Sequence, residues 1–364
     1  MSDVTLDPIT EGSRRGEDGE ILLDVEDLNV TFPSEDGKVL AVRGVSYQVK
    51  RGEVFGIVGE SGSGKSVSQM ALMGLLPTTA RITGSAKYLG NDLIGVPDRE
   101  VRHFRGNDIS MIFQDPMTSL NPVYTIGYQL GEIVRAHHRV SPKEAKARAV
   151  DALELVGIPQ PKQRADAYPH EFSGGMRQRV MIAMSMMNDP DIIIADEPTT
   201  ALDVTVQAQI LETLMAVKDE LGAAIILITH DLGVIAGVAD RVAVMYGGRF
   251  VERGTVDEIF ELPRMPYTLG LLGSIPSLDV DEDELTPIPG TPPSLVNLPD
   301  GCPFEPRCNM ATERCQTVEP ELMETDRKNH LAACHHWEQL VGLSDELKAF
   351  KRPIPDATKD LGAN

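Results

Sequence analysis

No stretch of this 364-residue sequence is apolar over anything like the ~20 residues that a helix needs to cross a bilayer. The strongest apolar runs, Ile192–Ala195 and Ala223–Ile228, have the length of buried strands. Residues 1–20 are polar and lack the apolar centre of a secretion signal. A cytosolic chain is therefore expected, one that meets a membrane only through a partner. Cysteine is scarce: there are four, all between Cys302 and Cys334. In a reducing compartment such a cluster points to a metal or iron–sulfur site before disulfides. Basic residues are also short, with 34 Lys and Arg against 55 Asp and Glu, a net charge of −21. A field of that sign repels phosphate backbones, so no nucleic-acid partner is expected.

What is present is an apolar share of 41%, enough for a packed core. Residues 1–20, rich in Gly, Glu, Asp and Arg, read as a disordered tail. From Ile21 to about Phe260, short β-rich runs alternate with helical patterns, which predicts an α/β domain. Val54–Val58 reads as a strand, and Gln69–Leu76 as part of a helix stopped by Pro77. From about residue 115 to 170–180 strand character vanishes, and Ser141–Val156 has the apolar spacing of an amphipathic helix. This is a helical insertion. Beyond residue 260 prolines break up regular structure, predicting a separate, loop-rich appendage over 261–340, and then a tail over 341–364.

Three stretches carry chemistry. Gly59-Glu60-Ser61-Gly62-Ser63-Gly64-Lys65-Ser66 fits G-x-x-x-x-G-K-[ST] between a strand and a helix. Its glycines let backbone N–H groups turn in around nucleotide phosphates, Lys65 reaches the β- and γ-phosphates, and the Ser66 hydroxyl suits Mg²⁺. Ile192–Glu197 is a buried strand ending in two carboxylates, Asp196 for Mg²⁺ and Glu197 to orient an attacking water. Phe172-Ser173-Gly174-Gly175-Met176-Arg177-Gln178-Arg179 exposes a second helix N-terminus, again an anion site. A nucleotide hydrolase that works alone needs only one. A second makes sense if it caps the γ-phosphate held by another subunit.

With these motifs in this order, the chain resembles the nucleotide-binding subunits of ABC transporters: Walker A at Gly59–Ser66, the signature at Ser173–Met176 and Walker B at Ile192–Glu197. The resemblance implies a P-loop NTPase fold with a helical subdomain. It also implies a Mg²⁺-sensing Q-loop at Gln114, a subunit-bridging D-loop at Ala201-Leu202-Asp203, a γ-phosphate contact at His230 and adenine stacking by Phe32. Each has a plainer alternative: a surface loop for Gln114, a turn for Asp203, core positions for His230 and Phe32. Met176 and Phe172 replace the family's usual Gln and Leu but leave Ser173 and the glycine amides in place. Gln114-Asp115-Pro116-Met117-Thr118-Ser119-Leu120-Asn121-Pro122, Pro266-Tyr267-Thr268, Ile288–Pro293 and Gly301–Cys308 resemble the ATPase subunits of dipeptide, oligopeptide and nickel importers.

The cysteines Cys302, Cys308, Cys315 and Cys334 are spaced C-x5-C-x6-C-x18-C, without the close pairs usual in structural zinc sites. Some members of the resembled subfamily carry a cysteine-ligated [4Fe–4S] cluster here. That cluster is the favoured expectation, with Zn²⁺ the alternative and His330, His335 and His336 near enough in sequence to substitute. The resemblance further implies MgATP hydrolysis in a head-to-tail pair with a second ATPase subunit, a paralogue or a second copy. The other partners implied are two transmembrane permease subunits and an extracellular substrate-binding protein, which place the chain at the cytoplasmic face of the plasma membrane. Di- or oligopeptides are the expected cargo. Nickel, an oligosaccharide, export, or a soluble ATPase with no transporter remain alternatives.

Overall fold

The computed structural model describes residues 19–115, 119–199, 203–274 and 288–341. Outside them lie the expectations for residues 1–18 and 342–364, Pro116, Met117 and Thr118 of the Q-loop stretch, the D-loop's Ala201 and Leu202, and residues 275–287 of the proline-rich appendage.

Two sheets pack through one apolar layer. Strands β1 (Ile21–Ser34) and β2 (Gly37–Lys50) form a long antiparallel ribbon. The larger sheet begins with β3 (Val54–Val58), while β4 (Arg81–Tyr88) and β5 (Asn91–Asp92) complete the first, in the order β2-β1-β4-β5. Strands β6 (Ile109–Ile112), β7 (Ile192–Asp196), β8 (Ala224–Thr229) and β9 (Arg241–Tyr246) join β3 in a parallel array. Strand β10 (Arg249–Thr255) turns back antiparallel, followed by the short β11 (Met323–Glu324) and β12 (Leu331–Ala332). The larger sheet runs β11-β12-β10-β9-β3-β8-β7-β6.

Every residue of β3, β7 and β8 is buried, the pattern of a parallel sheet covered on both faces. Alternate side chains divide between two cores, as the two-residue period of a strand requires. Phe55, Ile57, Ile192, Ile194, Ile226 and Ile228 face the ribbon and the helix Lys65–Leu72. Val54, Val58, Ile193, Ala195, Ile225 and Leu227 face the helical layer, together with Ile126, Leu130, Leu153 and Ile182.

The expected helical insertion is present as Ile126–His137, Pro142–Leu155, Pro161–Arg164 and Gly174–Met186. The predicted helix Ser141–Val156 runs Pro142–Leu155, with the Ser141 hydroxyl accepting the Glu144 N–H at 3.2 Å as N-cap. The P-loop helix is shorter than expected and ends at Leu72, not Leu76. Gly74 adopts φ 60°, and bonds from Gly74 N to Ala71 O and Leu75 N to Met70 O close a left-handed cap before Pro77 is reached. The C-terminal appendage is loop-rich as expected but not detached. Strand β12 pairs with β10, and Phe304 and Ala333 enter the main core because the appendage has too few apolar residues to bury one of its own.

Candidate active site

The parallel strands deliver the candidate residues at their carboxyl ends, where open α/β sheets hold ligands. Strand β3 feeds the glycine loop, β7 ends at Asp196 and Glu197, and β8 ends just before His230. The loop glycines are needed for space. A Cβ on Gly64, at φ 106°, would stand 2.2 Å from the Ala41 carbonyl oxygen, and one on Gly59 2.2 Å from that of Met245. Gly64 is also the N-cap of the helix Lys65–Leu72, with no side chain closing the helix end, so its amides and positive dipole face the loop.

A cleft of about 890 Å³ opens over this edge, large enough for a nucleotide. Ser61, Gly62, Ser63, Gly64, Lys65 and Ser66 form its floor. Gln114, Glu197 and His230 stand on one side, and Phe32 on the other with Val39 and Ala41. The polar groups pair with one another. Lys65 Nζ donates to the Gly59 and Glu60 carbonyls at 2.7 and 3.0 Å. The Ser66 hydroxyl donates to Asp196 Oδ1 at 2.8 Å. Gln114 Nε2 donates to Glu197 Oε2 at 2.9 Å, and His230 Nδ1 lies 3.3 Å from the other Glu197 oxygen.

Burial lowers the Lys65 pKa, against the opposing charges of Glu197, Asp196 and Glu60. Burial likewise raises that of Asp196, with the Glu197 charge adding to it and Ser66 and Lys65 opposing. A buried carboxylate bonded to a hydroxyl offers oxygen ligands that fit a hard divalent cation, and the nearby ammonium suits the phosphate such a cation carries.

Four expected residues are elsewhere. Ser173, Gly174 and Gly175 do not line the cleft; Ser173 caps its own helix, accepting from Met176 N at 3.3 Å. Asp203 is exposed and caps the helix Val204–Leu221, accepting from Val206 N at 3.0 Å. Four residues of the cleft wall are not apparent from the sequence: Leu271, Ser274, Ile288 and Leu295, all from the C-terminal region. The signal for them lies in Pro266–Thr268 and Ile288–Pro293, stretches to which the motifs alone assign no role.

The four cysteines line a second, small cavity together with His335 and His336. His330 is not with them. It is fully buried on Glu252, Nε2 to Oε1 2.8 Å, which removes it from the candidate ligands. Among the described residues no group of three or more His, Cys, Asp or Glu is arranged to hold a metal ion. The expected iron–sulfur or zinc site is therefore not preformed. Burial pushes the thiols of Cys302 and Cys308 up to about 11 and that of Cys334 up to about 12, and protonated thiols are poor ligands.

A glycine loop opening on a helix, a Walker-type carboxylate pair and a histidine gathered on one parallel sheet, with a helical insertion whose last helix opens on Ser173 and two glycines, define an ATP-binding cassette. The profile of the ABC transporter family matches residues 42–200, and that of the oligopeptide/dipeptide transporter C-terminal region matches 251–315. The dipeptide transport ATP-binding protein DppD of Bacillus subtilis is 55% identical over 303 residues, 83% of this chain and 90% of that protein. The chain belongs to this family of peptide-transport ATP-binding proteins. The oligopeptide transport ATP-binding protein OppD of Mycobacterium tuberculosis is 54% identical over 325 residues, 89% of this chain, which spans only 53% of that longer relative. Among solved structures, the ATP-binding cassette MJ0796 in a dimeric post-hydrolysis state with ADP and Pi aligns with a TM-score of 0.57 at 26% identity. It covers 64% of this chain and 98% of that one.

Proposed function

We propose that the chain binds MgATP in this cleft and hydrolyses it as half of a head-to-tail pair of cassettes, powering import of di- or oligopeptides. The observation that carries the reading is the convergence of Gln114 and His230 on Glu197, beside Lys65, Ser66 and Asp196. Glu197 is the general base that orients water, with His230 and Gln114 positioning it. Lys65 and the amides of Ser61, Gly62, Ser63, Gly64 and Ser66 hold phosphates, and Phe32 stacks on the base. Ser66, Asp196 and Gln114 would hold Mg²⁺, which when bound neutralises charge on the phosphates. Ser173, Gly174 and Gly175, set away from their own cleft, serve the nucleotide of the other cassette, and Asp203 bridges the pair.

Peptide cargo is supported by the relatives' own functions. It brings with it a second ATPase subunit, two transmembrane permease subunits and an extracellular binding protein. No helix among the described residues is long and apolar enough to cross a membrane, in keeping with a peripheral subunit docked on a permease at the cytoplasmic face. We take residues 21–260 as the cassette and 261–340 as the importer-type extension, whose cysteines take up a [4Fe–4S] cluster or, failing that, Zn²⁺. Glu197→Gln should keep nucleotide binding and lose about 10²–10⁴ in turnover. Specific activity of the unaltered chain should rise with its concentration or with partner subunits. Near-normal turnover of Glu197→Gln, or a concentration-independent monomer, would remove this mechanism. Co-purification with ribosomes or DNA in place of membranes would remove the transporter.

A further inference from the structure

The Walker A loop is gripped from outside itself. Glu60, its second residue, lies in a two-pronged ion pair with Arg307, Nη1 to Oε2 2.6 Å and Nη2 to Oε1 2.9 Å. The Glu60 N–H donates to the Tyr267 hydroxyl at 2.9 Å. Its carbonyl oxygen accepts Lys65 Nζ at 3.0 Å and the Ser63 N–H at 3.2 Å. Glu60 thus joins the loop's own lysine to two residues of the C-terminal region, more than 200 positions downstream.

Arg307 is rigidly seated. Its side chain is 4% exposed. Nε donates to the Pro289 carbonyl at 2.7 Å, and Nη1 also reaches the Tyr246 hydroxyl at 3.2 Å. The guanidinium lies over the Tyr246 and Phe304 rings, 5.8 and 5.9 Å from their centroids. Tyr246, Tyr267 and Phe304 in turn pack on one another, with centroid separations of 4.5 to 5.4 Å.

A carboxylate on a phosphate-binding loop is a liability. Left unpaired it repels the polyphosphate that Lys65 and the amides attract. A guanidinium that answers both carboxylate oxygens cancels that charge and fixes the loop's first turn, and a fork does so with more geometric definition than an ammonium. We propose that Arg307 is a positioning residue for the nucleotide site: by neutralising and fixing Glu60 it lets the C-terminal region set the affinity of the P-loop for nucleotide. The proposal rests on the reading that this cleft takes ATP.

The test uses the full chain and a fluorescent N-methylanthraniloyl ATP with Mg²⁺, beside steady-state ATP hydrolysis and thermal melts. Arg307→Met should weaken binding about tenfold or more and raise KM for ATP in step, with kcat changed less than about twofold. Arg307→Lys should fall between. Adding Glu60→Gln to Arg307→Met removes the unpaired charge and should bring affinity back to within about threefold of the unaltered chain. A role confined to holding the fold predicts no such recovery, because the lost contacts to Tyr246 and Pro289 stay lost. If Arg307→Met does not fold, the same comparison is made with Arg307→Gln and its Glu60→Gln double. A folded Arg307 variant with unchanged affinity, or a double variant as weak as the single, would overturn the proposal. Failure of the unaltered chain to bind the analogue would overturn the nucleotide reading and this proposal with it.

Discussion

Glu197 holds φ at 47°, a region that side-chain-bearing residues enter at a cost of about 1–3 kcal/mol. Its N–H bonds to the Ile228 carbonyl at 2.9 Å, so β8 holds the bend in place. Asp196, one residue earlier, stays within β7 with its side chain buried. Burial raises the Asp196 pKa above the ordinary 3.8, so the folded chain holds that proton more tightly than the unfolded chain. This group's favourable contribution is therefore complete below 3.8 and is lost as pH rises through the raised value. Near neutral pH the ionised Asp196 is a net cost to the nucleotide-free protein. Asp196→Asn should therefore raise nucleotide-free stability near neutral pH, with the gain vanishing in acid. The same variant should lose the further rise in Tm that MgATP gives the unaltered chain. Melting curves across pH decide it, and a lower Tm for Asp196→Asn near pH 7 would count against this account.

At the scale of elements, the helix Gly174–Met186 begins on a residue with two claims on it. As an N-cap, Ser173 holds the Met176 N–H, and replacing it by Ala should cost about 0.5–2 kcal/mol. As a donor to the other cassette's nucleotide it should matter far more to turnover, about 10²-fold for one such group. Ser173→Ala is thus expected to melt only a few degrees lower yet hydrolyse ATP poorly; a small loss of turnover matching the small loss of stability would leave only the cap. The elements themselves are largely legible in the sequence. Buried strands announce themselves as Val54–Val58 and Ile192–Ala195, and chemistry constrains the residues directly after each. The Ser141 cap and its helix are legible because both signals are local. The stop at Gly74 is not, since any glycine can supply a positive φ and Pro77 offers a stronger stop signal nearby. Nor is Arg307, whose meaning lies in Glu60, 247 positions away. His330 misleads for the converse reason: nearness in sequence to Cys334 suggests a shared ligand, while the fold places it on Glu252.

At the scale of the whole molecule, the C-terminal region is a third layer of dependence on one core. It extends the main sheet through β12, sends Phe304 into the aromatic cluster, grips the P-loop through Arg307 and walls the nucleotide cleft through Ile288 and Leu295. It reaches Arg43 as well, two residues after Ala41 of the cleft wall, whose Nη2 lies 2.6 Å from Glu319. A region this short of apolar residues leans on the main core, and its four cysteines line one small cavity within it. Without metal, raised thiol pKa values give a definite sign. The favourable contribution of Cys302, Cys308 and Cys334 is complete below 9.0 and is lost as pH climbs toward their folded values of about 11 to 12. Metal-free protein should therefore lose stability above about pH 9, with the C-terminal region loosening first. At pH 8 these thiols should alkylate about 100- to 1,000-fold more slowly than ordinary cysteines, because so little thiolate is present. If the proposed metal or cluster binds, both signs should reverse: ligation would strip the protons, so uptake would release protons, strengthen as pH rises and abolish the alkaline loss. Protein purified without air should be brown and hold about four irons per chain, and replacing any one cysteine by serine should bleach it while MgATP still binds. Zinc with no iron, in protein never exposed to air, would exchange the cluster for a zinc staple. No metal at all, together with an alkaline stability unchanged by added iron, sulfide or zinc, would reduce the four cysteines to packing.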